Sequence, residues 1–123
     1  MADRRVRLLS SMLFGMGVLH FAAPKPFDSI VPPQLPGSAR AYTYASGVAE
    51  IGVAAALAVP RTRRLGGSLA AMLFVAVFPA NIQFTVDSLR NPKASTLVRI
   101  ASVARLPLQI PMIRTALRVR AAA

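Results

Sequence analysis

Hydrophobic and polar positions alternate along this chain in blocks rather than in single steps. Four apolar runs, over about residues 6–23, 41–59, 65–86 and 96–117, are separated by basic or proline-rich connections. Each holds about 18–22 residues, enough to cross roughly 30 Å of hydrocarbon as a helix with little tilt. The pattern predicts an all-α, polytopic membrane protein, one domain over 1–123 folded as a four-transmembrane-helix up-down bundle.

The punctuation between the runs refines each element. Arg4, Arg5 and Arg7 before the first run, and Ala22–Ala23 at its end, have the layout of a secretory leader. The apolar stretch is longer than a leader's core, so a retained helix is the preferred reading. Gly15 and Gly17 allow a neighbouring helix to come close. Five prolines between Pro24 and Arg40 forbid a continuous helix there. Phe27, Ile30, Val31 and Leu35 give that connection an apolar side, so it folds over the bundle mouth, either as a plain interfacial loop or as a lid formed by Pro24, Phe27 and Pro32. Tyr42 and Tyr44 anchor the second run at the interface, and Pro60 ends it. Gly67 and Ala71 make a small-xxx-small pair in the third run. Pro79 should kink that helix, because it lacks an amide hydrogen and crowds the Val75 carbonyl. The fourth run, with Arg99, Arg105, Gln109, Pro107 and Pro111, is a poor span by itself.

Charge then sets the orientation. Fifteen Lys and Arg against four Asp and Glu give a formal net charge of +11. In a soluble chain this would suggest nucleic acid, but the basic residues sit at block ends with almost no aromatic interleaving, so no nucleic-acid partner is expected. Arg4, Arg5, Arg7, Arg61, Arg63, Arg64, Arg114, Arg118 and Arg120 fall on one side of a four-span arrangement. Only Lys25, Arg40, Arg90 and Lys93 fall on the other. The positive-inside rule puts both termini in the cytoplasm, and the expected location is the bacterial plasma (inner) membrane, multi-pass.

Cysteine is absent and His20 is the lone histidine. Thiolate metal sites, iron–sulfur ligation and bis-histidine haem within one subunit are excluded, and no metal site is expected. No nucleophile–base pair or phosphate loop is recognisable, so no catalytic residue is assigned and catalysis by the chain alone is not expected.

What remains is Glu50, a single carboxylate inside the run Ser46–Ala58. An acid at membrane depth is costly and marks a pathway, a ligand site or a buried partner. His20, Asn81, Glu50 and Arg105 each lie about four to eight residues below the outer face, roughly 6–12 Å at 1.5 Å per residue. An ion pair between Glu50 and Arg105 is predicted, with Gln109, Asn81 and His20 completing its hydrogen bonds. Three uses of that cluster stay open: a lock between helices, a polar-lined small-molecule site, or a proton relay serving redox chemistry.

Gly17-Val-Leu-His-Phe21, then Pro24, Phe27, Ile30-Val-Pro32 and Leu35-Pro36, resemble the opening of DoxX-like membrane proteins. Ser46-Gly-Val-Ala-Glu-Ile51, Phe78-Pro-Ala-Asn-Ile82 and Arg105-Leu-Pro-Leu-Gln109 extend the resemblance through all four runs. It implies a small four-helix inner-membrane protein. Some members of that family take part in quinone-linked oxidation of sulfur compounds, others serve membrane redox complexes, and similar eukaryotic proteins assist receptor assembly. The expected function is therefore binding of a quinone-like or lipid-like molecule, held non-covalently at the intramembrane cluster and accessory to membrane redox chemistry. The alternative is a non-enzymatic scaffold or assembly factor, as a homo-oligomer or with a membrane partner protein. Its contact surfaces would be Ala54, Ala55, Ala58, Gly66, Gly67 and Ala70, and the Glu50–Arg105 cluster would be structural.

Overall fold

A computed structural model describes residues 2–123, with side chains from Arg4 onward. Among the described residues six helices follow one another: α1 (Ala2–Ala22), α2 (Pro24–Asp28), α3 (Ala39–Ala58), α4 (Arg63–Ala76), α5 (Phe78–Arg90) and α6 (Thr96–Ala122), with a 3₁₀ turn at Pro60–Thr62. No strand occurs among the described residues.

Local chemistry sets the boundaries. Ser38 and Ser95 cap α3 and α6, each side-chain oxygen accepting an amide hydrogen, from Ala41 and Val98 at 3.2 Å. Val59 and Asn91 each precede a proline, and both leave the helical region, at ψ 121° and 113°. The proline ring disfavours α backbone in the residue before it, so α3 and α5 end there. Pro79 divides the third apolar run into α4 and α5 at Val77. The expected kink is a break between two helices. Pro107 and Pro111, by contrast, lie inside an α6 that continues past them.

The helices form a ring. α1 packs on α3, α3 on α4, α4 and α5 on α6, and α6 closes lightly on α1. Among the described residues α3 and α6 do not approach each other directly; they occupy a diagonal. Glycines set the closest crossings. A Cβ on Gly17 would lie 2.9 Å from the Gly47 carbonyl oxygen, and one on Gly47 would lie 3.0 Å from the His20 Cβ. Gly66 sits against the Leu57 backbone of α3 and Gly67 against Arg120 of α6. Gly66, Gly67, Ala54 and Ala70 are buried within the bundle, which leaves Ala55 and Ala58 exposed. The contact surface expected of those six residues is thus mostly used inside one subunit.

Interior polarity is divided along the bundle axis. Val6, Leu9, Leu13, Val53, Ala54, Leu57, Ala70, Ala71, Phe74, Ala116 and Val119 make an apolar core at the end that carries the termini. Every buried polar side chain, from His20, Thr43 and Glu50 to Asn81, Thr85, Ser88, Ser102 and Gln109, lies toward the other end. The outside is the reverse: Leu8, Val48, Met72 and Leu97 are 67%, 64%, 66% and 76% exposed.

Two stretches, Pro60–Arg90 and Thr96–Ala122, are long and apolar enough to cross a membrane. Four such spans were expected. α1 begins with a charged turn (Asp3, Arg4, Arg5, Arg7), and α3 is rich in alanine and glycine and includes Arg40 and Glu50. Both facts lower their apolar character.

Candidate functional site

The interior polar residues come from helical faces in register. On α3, Thr43, Gly47, Glu50, Ala54 and Leu57 recur at steps of three and four, and all are buried. On α1, Leu13, Gly17 and His20 do the same. The Gly17–Gly47 crossing brings those two faces together and puts His20 beside Glu50, with Nδ1 3.5 Å from Oε2.

That distance is an electrostatic approach rather than a hydrogen bond. His20 Nδ1 lies 2.6 Å from the Met16 carbonyl oxygen. A carbonyl only accepts, so Nδ1 carries the hydrogen and directs it down its own helix. Glu50 Oε2 is consequently buried with no hydrogen-bond partner, in a residue only 7% exposed. Among buried polar groups such an orphan is uncommon and points to a missing donor.

Phe27 covers this pair. Its ring stacks on His20 with centroids 3.8 Å apart and planes 19° from parallel. Asp28 holds α2 in place, because its Oδ1 accepts from the buried Thr43 hydroxyl at 2.5 Å and its Oδ2 from Arg40 Nε at 2.8 Å. The Thr43 hydrogen bond, reinforced by Arg40 and opposed by partial burial, holds the Asp28 carboxyl below the usual carboxylate range. Pro24 opens α2, and Pro32 is half-buried in the turn that accepts from Leu35 N.

The predicted Glu50–Arg105 ion pair does not form, and the five-residue cluster is two clusters. Helices two and four of an up-down ring are diagonal, so similar depth does not make their side chains neighbours. Arg105 is exposed and stacks its guanidinium over Phe84, with Cζ 5.1 Å from the ring centre. Its Nη2 donates to Asn81 Oδ1 at 3.1 Å, Asn81 Nδ2 donates to Gln109 Oε1 at 3.1 Å, and Gln109 Nε2 donates to the Phe74 carbonyl. This relay ends on a carbonyl beside the α4–α5 break, where the chain's own helix bonding is interrupted. Thr85 donates to the Asn81 and Ser102 carbonyls below it, at 3.1 and 2.9 Å. Asn81, Arg105 and Gln109 therefore satisfy one another, whereas Glu50 is left short.

Asp28 and Thr43 were not anticipated. Thr43 lies seven residues before Glu50, two turns up the same face, and Asp28 is the only acid in the 24–40 connection; those two facts are the signal that could have found them. Among the described residues no group of three metal-ligating side chains occurs.

Comparison with known proteins corrects the family. The family model that matches is Domain of unknown function (DUF8561), over residues 9–120. The DoxX-like resemblance rested on short stretches of glycine, proline and apolar residues at helix ends, which packing in any small bundle favours, and its functional implications fall with it. No curated protein and no solved structure matches the chain.

Proposed function

From a chain that belongs to the DUF8561 family, whose description assigns no activity, we propose a four-span membrane protein that binds a small hydrophobic molecule through a polar head at Glu50. The bundle is apolar outside and polar within its outer half. In hydrocarbon, water is absent and interior polar groups must satisfy one another. The nine basic residues at the apolar-core end favour cytoplasmic termini.

The observation that carries the ligand reading is the buried, partnerless Glu50 Oε2 beneath Phe27. A hydroxyl or amine on a quinol-like or lipid-like molecule would supply the donor that the protein does not. Displacement of α2, which carries Phe27, would admit the head.

The test is a thermal-shift screen of the detergent-purified protein against quinols, quinones and hydroxylated lipids. A donor-headed ligand should raise the melting temperature, and Glu50→Gln, which offers an amide in place of the carboxylate, should abolish most of that rise. An unchanged response in Glu50→Gln would remove the site.

A membrane scaffold is the second reading. It is favoured by a groove of about 320 Å³ between α1 and α3, lined by Ser10, Ser11, Phe14, Ile51, Ala54, Ala55 and Ala58. Small residues at that surface suit close approach of another helix. Co-purification of a discrete partner that is lost in Ala55→Leu, with no ligand response at Glu50, would select it.

A further inference from the structure

α2 is stiff within itself and lightly held from outside. Pro24 and Pro26 fix two of its backbone torsions, and Ser29 Oγ donates back to the Pro26 carbonyl at 2.6 Å. None of its five residues is fully buried. It packs on α1 and α3 and on no other helix among the described residues. Its near end is a joint: Ala23, directly after α1, leaves the helical region at φ −140° and ψ 69°. Its far end runs into the non-helical stretch 29–35, which is tied down only past Leu35, where the Tyr42 hydroxyl donates to the Pro36 carbonyl at 2.5 Å.

Two adjacent side chains carry the attachment. Phe27 lies on the His20 ring, and Asp28 accepts from Thr43 and Arg40. The receiving groups belong to the bundle. Thr43 is 1% exposed and cannot follow α2 outward. Arg40 lies over the Tyr44 ring, with Cζ 5.6 Å from its centre, and Tyr44 stacks on Phe21 of α1 at 5.1 Å. On the other side the connection has room. Ser29 and Ile30 border a cleft of about 560 Å³ whose opposite wall includes Phe84 and Ser88 of α5 and Val98 of α6.

We infer that α2 is a hinged lid on Glu50, latched by Asp28 to Thr43 and Arg40, which swings toward the cleft beside α5 and α6 when the latch releases. Closed, it keeps Phe27 over His20 and Glu50 Oε2 out of contact with solvent. Open, α2 turns as a unit about Ala23, and the ring and the carboxylate leave together because they are neighbours on one short, stiff helix. A segment held by one ring stack and two side-chain hydrogen bonds belongs to the low end of local stability, from which binding lids are drawn. That a ligand waits beneath rests on the reading of Glu50 given above; the lid and its latch stand without it.

The experiment measures how fast dicyclohexylcarbodiimide, an apolar carboxyl reagent, modifies Glu50 in the whole detergent-purified protein at fixed pH. The modified peptide is located by mass spectrometry. Reaction requires opening, so the rate follows the open fraction. Wild type should react slowly, and Phe27→Ala, which removes the cover and leaves the latch, should react faster. Thr43→Val keeps the shape without the hydroxyl and should raise the rate by about fivefold, the scale of one hydrogen bond. Asp28→Ala removes both bonds and should raise it by about tenfold or more. Gly15→Ala, where a Cβ meets nothing, should match the wild type. Amide exchange across α6, unchanged in each variant, separates opening of the lid from loss of the fold. A wild-type rate in Phe27→Ala would overturn the lid. Wild-type rates in both Thr43→Val and Asp28→Ala would overturn the latch. Absence of any ligand response at Glu50 is a separate result, because these rates are read with no ligand present.

Discussion

At Asp28 the carboxylate accepts from Thr43 and Arg40, and those two bonds tie α2 to the start of α3. Because this pairing lowers the Asp28 pKa below its ordinary 3.8, the folded state binds its proton less readily than the unfolded state. The contribution to stability is therefore complete above that ordinary value and is lost as pH falls through the folded value. Amide hydrogen exchange over residues 24–31 should be flat between pH 5 and 8 after correction for intrinsic rates, and should quicken only below about pH 4. Asp28→Asn should show the quickened exchange at neutral pH; protection equal to the wild type would deny the tie. Glu50 poses the opposite residue-level question. If its oxygen is held short of a donor for a ligand's sake, the ligand-free protein bears the cost. Glu50→Met should then stabilise the apo protein, by about 1–3 kcal/mol in line with unmet buried polar groups. If Glu50 and His20 were instead a lock between α1 and α3, the same substitution would lower the melting temperature.

Among the elements, crossings are governed by missing side chains and by one broken helix. Gly47→Ala would drive a methyl into the His20 Cβ and the Gly17 backbone. Overpacking of this kind costs about 1–3 kcal/mol, and it should also shift the His20 ring signals in NMR, because the methyl meets that side chain directly. Gly15→Ala, where a Cβ meets nothing within 4 Å, should leave both unchanged. At the α4–α5 break, Gln109→Leu would strip Asn81 Nδ2 and the Phe74 carbonyl of their partner. A loss of about 1–3 kcal/mol per group left unmet is expected in thermal unfolding. The end of α3 at Pro60 and a bend at Pro79 were legible in the sequence, since a proline acts through the backbone of adjacent residues alone, whereas the end of α5 before Pro92 was placed about four residues early. Pairing between helices was less legible. Depth along each helix can be counted, and it put His20, Glu50, Asn81 and Arg105 at one level, but of these the structure joins only His20 to Glu50 and Asn81 to Arg105. Which helices are neighbours depends on the ring closing around Gly17–Gly47 and Gly66–Gly67, and hydropathy does not encode that diagonal. Arg105 illustrates the same limit: its stem is long enough to leave the α6 seam (Ser102, Gln109, Ala116) and lie on Phe84.

For the molecule as a whole, the decisive contrast is between its two ends. A soluble bundle would bury its large apolar residues throughout its length, yet here they fill only the end near the termini, while leucine, valine and methionine coat the outside. Lipid supplies no hydrophobic drive between helices, so small residues and hydrogen bonds can hold the other end together. That account commits the chain to four crossings, including α1 and α3, which are the less apolar pair. Because cysteine is absent, a single engineered thiol reports its side of the membrane without background. Arg61→Cys and Arg118→Cys should react with a membrane-impermeant maleimide only after the cytoplasmic face is opened. Asn91→Cys and Ser38→Cys should react in intact cells. Labelling of Asn91→Cys from outside while Ser38→Cys stays protected would leave the broken α4–α5 pair and α6 as the only spans, and α1 with α3 would then lie on the membrane's cytoplasmic side. Glu50 and His20 would no longer sit at membrane depth, and the ligand reading would lose the setting that makes an unpaired carboxylate informative.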